Sequence, residues 1–197
     1  MNAMHNPKRT GLFFGSFNPI HIGHLAMANY FVEYTRLKNL WFIVSPQSPF
    51  KNQSSLLNNY DRLELVYKAI EDDHRFDVSN IEFNLPKPSY TIDTLTYLKE
   101  KYPHNQFALI IGADNLFYFH KWKNHEKLRE IFDIYVYPRP GFSKDLCPVF
   151  PNLHWVDAPL MEISSSFIRQ AIANGKNIKY FLPQKVWEHI DYMNFYR

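Results

Sequence analysis

Short apolar runs alternate with longer amphipathic segments along most of this chain. Runs with the length and side chains of buried strands predict strands at residues 10–15, 40–44, 76–83 (one or two strands), 106–111, 134–137 and 153–156. Helical spacing of apolar residues predicts helices at 21–34, 60–70, 91–101, 126–132, 165–173 and from 183 to about 193. Because parallel neighbours need crossover connections, this alternation predicts an α/β fold, a parallel sheet with helices on both faces.

Two stretches lack any periodic pattern and predict loops, at residues 45–59 and 138–151. We find no internal repeat, low-complexity tract or shift in composition that would divide the chain. The length of 197 residues suits one domain. We therefore expect a single domain over residues 1–197, with a C-terminal helical part from about residue 164.

Composition narrows the class of protein. The chain has 22 lysines and arginines against 19 aspartates and glutamates, a balance too weak to predict a nucleic-acid partner. Its single cysteine, Cys147, excludes an internal disulfide and a multi-cysteine zinc site, and one thiol suits the reducing cytoplasm. No apolar run approaches the roughly 18–20 residues of a membrane helix. We expect a cytoplasmic protein without a nucleic-acid or membrane partner, and self-association stays open.

The sequence GSFNPIHIGH at residues 15–24 follows the first predicted strand and runs into the first helix. Gly15 and Ser16 are small enough for the backbone to approach a phosphate, and the helix start favours an anion. His21 and His24 are three residues apart, so one face of the helix presents both rings to phosphate oxygens. The alternative is a tight turn with two structural histidines, but the combined pattern favours a phosphate site.

A second motif, ISSSFIR at residues 163–169, also follows a predicted strand. Serines cap helix starts and offer hydroxyls to an anion, while Arg169 lies one turn in and can fork two phosphate oxygens. Alone, this is an ordinary N-cap followed by a surface arginine. After the first motif, the anion-binding interpretation is the better one.

The two motifs together resemble the nucleotidyltransferases of the His-x-Gly-His superfamily. Further motifs, in the same order along residues 11–190, are similar to the nicotinate-nucleotide adenylyltransferases. These motifs are PSYTIDT at 88–94, LIIGADN at 109–115 with Trp122 eight residues after Asp114, RPGF at 139–142, and GK at 175–176 followed by YFLP at 180–183. The resemblance implies a Rossmann-like nucleotidyltransferase fold.

The resemblance also implies roles for individual residues on the ATP side. His21 and His24 would hold the phosphates and, with Arg169, carry catalysis. Gly112 and Asp114 would meet the ribose. The ATP-binding positions implied are Gly15, Ser16, Phe17, His21, His24, Gly112, Asp114, Arg139 near the adenine, Ile163, and Ser164, Ser166 and Arg169 at the β- and γ-phosphates.

On the acceptor side, Thr91 and Tyr118 would meet the nicotinate carboxylate through backbone N–H groups, and Trp122 would stack on the pyridine ring. Trp122 could instead be an exposed aromatic residue of a lysine-rich loop. Lys51 is a further candidate for the phosphates, with a solvated lysine as the alternative. Asn18 stands where many relatives carry an aspartate, so we expect a structural role for it.

The resemblance implies an adenylyltransferase that joins nicotinate mononucleotide and ATP into nicotinate adenine dinucleotide (deamido-NAD) and pyrophosphate. The sequence shows no covalent nucleophile, so we expect in-line attack assisted by positioning and charge neutralisation. Mg²⁺ would accompany ATP and be held mainly by phosphates, without a metal site built by the protein. A sister enzyme using nicotinamide mononucleotide or phosphopantetheine, and a non-catalytic nucleotide-binding module, remain alternatives.

Overall fold

The computed structural model describes residues 9–46, 56–86 and 88–197. Six strands form one sheet, namely β1 (Arg9–Gly15), β2 (Asn39–Val44), β3 (Phe76–Ser79), β4 (Gln106–Gly112), β5 (Asp133–Tyr137) and β6 (Leu153–Trp155). The helices are α1 (Ile22–Tyr34), α2 (Asn59–Ile70), α3 (Thr91–Lys101), α4 (Ala113–Phe117), α5 (His125–Ile131), α6 (Ser165–Ala173) and α7 (Gln184–Tyr192).

The strand order in the sheet is β3-β2-β1-β4-β5-β6, and every pair of neighbours is parallel. The chain builds outward from β1 to β3, then returns to β4 on the other side of β1. The order of the strands therefore reverses between β1 and β4. In parallel sheets of this kind, ligands bind beyond the carboxyl ends of the strands at the point of reversal. The predicted α/β fold with a parallel sheet is confirmed.

Successive residues of the strands enter two separate cores. Phe13 and Ile110 pack on one face with helices α1, α2, α6 and α7. Leu12 and Leu109 pack on the opposite face with α3, α4 and α5. Because side chains alternate across a strand and both faces are covered, these strands appear in the sequence as continuous apolar runs.

The structure differs from the predicted secondary structure in the segment after β3 and in helix α4. The segment 76–83 holds one strand, and Ile81–Asn84 is a 3₁₀ turn, so a second strand there is wrong. Ile81 and Glu82 are both buried, which a 3₁₀ turn allows and the alternation of a strand does not. Helix α4 was not predicted because its five residues are too few to show helical periodicity. No helix in the described ranges is long and apolar enough to cross a membrane.

Candidate active site

The motifs singled out in the sequence meet at the carboxyl edge of the sheet, around the reversal point between β1 and β4. Strand β1 ends at Gly15, and His21 is the N-cap of α1. Strand β4 ends at Gly112, and α4 begins at the next residue. The loop after β1 and the start of α4 therefore lie at the same edge of the sheet, where ligands bind in sheets of this kind.

The rings of His21 and His24 stack on each other, with centroids 3.7 Å apart and an interplanar angle of 29°. Nδ1 of His24 accepts a hydrogen bond from the backbone N–H of His21 at 3.3 Å. The ring of Phe17 meets His24 edge-on at 5.1 Å, and Phe17 itself is buried. The two imidazoles therefore pack against each other and against the Phe17 ring. Because that ring is buried, Phe17 can contact a ligand only through its main chain.

Burial and, to a smaller extent, the positive charge of Arg139 lower the pKa of His21 to about 4. The ring is therefore neutral at pH 7 and carries a single N–H donor. A phosphate brought against it would favour the protonated form and raise this pKa. His21 is suited to bind a phosphate oxygen without holding a permanent charge of its own.

Gly23 leaves room for the ring of His21 at the start of the first helix. A Cβ at this position would lie 3.1 Å from Nδ1 of His21 and 3.6 Å from Cβ of Ile163. Any side chain would therefore push against the imidazole. Ile163 precedes Ser164, the N-cap of α6, whose hydroxyl accepts a hydrogen bond from the backbone N–H of Phe167 at 3.2 Å.

Hydrogen bonds dock helix α6 on the loop between β1 and α1. The hydroxyl of Ser165 donates to the carbonyl of Pro19 at 2.9 Å. Nη1 of Arg169 donates to the carbonyl of Asn18 at 2.8 Å, and its Nη2 donates to the hydroxyl of Ser166 at 3.3 Å. The two motifs, far apart in the sequence, form one polar wall. The docking role of Ser165 was not predicted.

Asp114 and Arg139 form an ion pair at the end of β4, with Oδ1 3.6 Å from Nε. The guanidinium of Arg139 also lies 5.3 Å from the centre of the Tyr137 ring. Gly112 makes this approach possible, because a Cβ there would stand 2.3 Å from the Asp114 carboxylate and 3.1 Å from Cγ of Arg139. A carboxylate and a guanidinium are thus brought together in one half-exposed place.

Two buried side-chain atoms in the described part of the chain make no hydrogen bond: Nδ1 of His21, and Oδ1 of Asp114, whose 3.6 Å contact with Nε of Arg139 is an ion pair too long for a hydrogen bond. Buried polar atoms are nearly always paired, so such exceptions need an explanation. Both belong to residues that the sequence assigned to ATP, and the charge of Arg139 acts on both. They point to a polar ligand at this edge of the sheet.

The acceptor-side residues lie on two neighbouring segments. Thr91 is the first residue of α3 and is half-buried. The ammonium of Lys123 binds the carboxylate of Asp93 at 2.9 Å and lies 4.5 Å from the centre of the Tyr90 ring. These contacts hold the loop after α4 against the start of α3.

That loop carries Tyr118 and Trp122. Tyr118 is 46% exposed, and the ammonium of Lys121 lies 4.8 Å from the centre of its ring. Trp122 is half-buried and packs against Phe119 at 5.4 Å between ring centres, so it is not a freely exposed aromatic residue. Lys51 lies outside the described residues.

Sequence reasoning missed Arg62, which is fully buried. All five N–H groups of its guanidinium are used, each on a neutral acceptor. The acceptors are the carbonyls of Ser16 (2.6 Å), Ser45 (2.9 Å), Leu57 (3.1 Å) and Pro46 (3.3 Å), and Oδ1 of Asn59 (2.7 Å). The sequence does contain one indication that Arg62 is buried. It lies three and four residues before Leu65 and Val66, and this spacing places it on the buried face of α2.

Glu82 was also missed, and it lies in a segment interpreted as a strand. Its carboxylate is buried and accepts a hydrogen bond from the hydroxyl of Thr94 at 2.8 Å. Burial raises the pKa of Glu82, while hydrogen bonds from the side chains of Ser45, Thr94 and Ser89 oppose the rise. Glu82 therefore links the end of β2 to the segment that leads into α3.

The donor set of the site suits anions. Imidazoles, hydroxyls and guanidiniums line it, and within the described ranges no group of three or more His, Cys, Asp or Glu side chains could hold a metal ion. These residues fit phosphate oxygens and do not form a cage for a cation.

Comparison with known proteins gives matches over nearly the whole chain. The sequence profile of the cytidylyltransferase-like family matches residues 12–171. A probable nicotinate-nucleotide adenylyltransferase of Flavobacterium johnsoniae is 50% identical over 191 residues, which cover 96% of this chain and 99% of that protein. A relative of the same name from Christiangramia forsetii is 52% identical over 192 residues, with the same shares covered.

Solved structures share the fold. The nicotinic acid mononucleotide adenylyltransferase of Plasmodium falciparum complexed with NaAD superposes with a TM-score of 0.79 at 20% identity, over 96% of this chain and 97% of that one. The same enzyme complexed with APC gives a TM-score of 0.77. The parallel sheet, the paired histidine and serine–arginine motifs, and the close relatives agree, and the chain belongs to the nicotinate-nucleotide adenylyltransferase family of Rossmann-like nucleotidyltransferases.

Proposed function

We propose that this chain transfers the adenylyl group of ATP to nicotinate mononucleotide, giving nicotinate adenine dinucleotide and pyrophosphate. A phosphate oxygen of the mononucleotide attacks the α-phosphorus of ATP, and the bond from that phosphorus to the β-phosphate oxygen breaks. The observation that carries the proposal is the pair of buried unbonded atoms, His21 Nδ1 and Asp114 Oδ1, at the ligand edge of the sheet. About 50% identity to nicotinate-nucleotide adenylyltransferases over nearly the full length supports the choice of substrates.

The phosphate chain of ATP lies along the wall formed by α1 and α6 in this proposal. His21 and His24 donate to oxygens whose charge grows as the α-phosphorus is attacked. Arg169, with the hydroxyls of Ser164 and Ser166, binds the β- and γ-phosphates as they leave. Its docking on the carbonyl of Asn18 uses Nη1 and orients the guanidinium fork.

The nucleoside half of ATP lies over the end of β4. The carboxylate of Asp114 accepts hydrogen bonds from ribose hydroxyls, which supplies partners for its unbonded Oδ1. Gly112 keeps this place open, and Arg139 lies on the adenine side. The ion pair between Arg139 and Asp114 orients the carboxylate before ATP binds.

The acceptor is bound between α3 and the loop after α4. The backbone N–H of Thr91, at the start of α3, receives the nicotinate carboxylate. The N–H of Tyr118, expected from the sequence to do the same, already donates to the carbonyl of Leu116, so Tyr118 contributes through its ring. The indole of Trp122 lies against the pyridine ring. Mg²⁺ would be held by the triphosphate oxygens and water and would offset their negative charge, while the protein residues of the site donate to the same phosphates. The whole chain, residues 1–197, acts as one nucleotidyltransferase domain.

The experiment measures pyrophosphate release from ATP with nicotinate mononucleotide, nicotinamide mononucleotide and phosphopantetheine as acceptors. N–H donors satisfy a carboxylate but confront the NH₂ of an amide, and each unpaired buried group costs about 1–3 kcal/mol. We expect kcat/KM for the nicotinate form to exceed that for the amide by roughly tenfold to a hundredfold. Equal values or a preference for the amide would remove the nicotinate assignment, and nucleotide binding without pyrophosphate release would indicate a non-catalytic module.

A further inference from the structure

Asn18 connects three distant parts of the chain at the phosphate-binding loop (residues 15–24). Its side chain is 2% exposed. Oδ1 accepts hydrogen bonds from the backbone N–H of Leu57 at 3.2 Å and from the hydroxyl of Tyr196 at 2.9 Å. Its backbone carbonyl accepts from Nη1 of Arg169 at 2.8 Å. The position of Asn18 therefore affects both the loop and the arginine proposed to bind the leaving phosphates.

Tyr196 reaches this place from the segment after α7. Its hydroxyl donates to Asn18 across 178 positions of sequence. Burial raises the pKa of Tyr196, and the positive charges of Arg169 and Arg62 oppose the rise. The phenol is therefore protonated at neutral pH and acts as a hydrogen-bond donor beside two guanidiniums.

Arg62 supports the same loop from the other side. It donates to the carbonyls of Ser16 and Leu57, and Leu57 in turn donates to Asn18. Together, Tyr196 and Arg62 restrain residues 16–18 from two directions. Asn18 suits the centre of this arrangement because its amide oxygen accepts two hydrogen bonds without adding a negative charge near bound phosphates.

We propose that Tyr196 is a positioning residue for ATP: its hydroxyl fixes Asn18, and Asn18 in turn holds the phosphate-binding loop and Arg169 in the arrangement that receives the triphosphate. The inference rests on the proposed function, because it concerns the same site. It extends the site to a residue outside every motif that the sequence analysis singled out.

The test replaces Tyr196 with phenylalanine, which removes the hydroxyl and keeps the ring. The matched control is Tyr192→Phe, in the preceding helix, where the side chain is 83% exposed. One lost positioning hydrogen bond predicts a fall in kcat/KM for ATP of about tenfold. We expect KM for nicotinate mononucleotide to stay within about twofold and the melting temperature to stay within a few degrees, as in the control.

An unchanged kcat/KM for ATP in Tyr196→Phe would overturn the inference. So would an equal rise in both KM values, which would indicate a general structural role. A double-mutant cycle adds a further test. In the background of Asn18→Ala, Tyr196→Phe should cause no additional loss, whereas a second tenfold loss would show that Tyr196 acts elsewhere.

The proposed function and this inference can fail separately. If the wild type releases no pyrophosphate with any acceptor, the proposed function is wrong. Binding of a non-hydrolysable ATP analogue, measured by calorimetry, then tests the inference. Weaker binding by Tyr196→Phe than by Tyr192→Phe supports it, and equal binding overturns it.

Discussion

Replacing Arg62 with lysine tests how much the buried guanidinium stabilises the fold. Arg62 is fully buried and uses all five N–H donors, while a lysine ammonium has three. At least two acceptors must then lose their partner. Each buried acceptor left unpaired costs about 1–3 kcal/mol, and several of these are only partly buried, so we expect a loss of about 2–4 kcal/mol.

This loss would lower the melting temperature by roughly 5–12 °C for a chain of this size. Urea titration followed by circular dichroism measures the free energy of unfolding directly. The matched control is Arg75→Lys, because Arg75 is partly exposed and pairs with Asp73 and Glu33. Exposed ion pairs contribute about 0–1 kcal/mol, so the control should lose no more than that.

If Arg62→Lys and Arg75→Lys unfold at the same urea concentration, the reasoning is refuted. Such a result would mean that the carbonyls around Arg62 find other partners at little cost. Because one of these carbonyls belongs to Ser16 in the phosphate-binding loop, we also expect Arg62→Lys to raise KM for ATP.

Two further predictions concern the histidines. His24→Ala should lower kcat by about a hundredfold or more, the scale for a donor lost in the transition state, in a protein whose circular dichroism is unchanged; near-normal turnover would contradict its assignment. The pKa of folded His21, about 4, lies below its ordinary value of 6.5, so the unfolded chain binds the proton first and stability falls as the pH drops through this window. Urea titrations should show a loss of about 2–4 kcal/mol between pH 6.5 and 4 that His21→Gln removes, and an equal loss in the variant would assign it to other groups.

The sequence alone was sufficient to predict the alternation of strands and helices. Strands β1, β2 and β4 are buried on both faces, so their apolar runs are unbroken and easy to detect. Helices α3 and α6 have the bounds expected from their periodicity. Helix α4 escaped detection because five residues cannot show a period of 3.6, whereas even the three-residue β6 was predicted from its apolar run.

The residues of the candidate site also divide into those that local motifs reveal and those that only the structure reveals. His21, His24 and Asp114 were found because they lie in local motifs directly after strands. Tyr196 was not found, since its partner Asn18 lies 178 positions away in the sequence.

Only the tertiary structure decided the order of the strands and the partners of Arg62, Glu82 and Tyr196. Periodicity reports which way a side chain faces within its own element, and it carries no information about the element that packs against it. The carbonyls that Arg62 binds come from the loop after β1 and from both ends of the connection between β2 and α2, which the packing of α2 against the sheet brings together. Buried polar groups are stable only where such partners exist, and long-range packing determines where those partners lie.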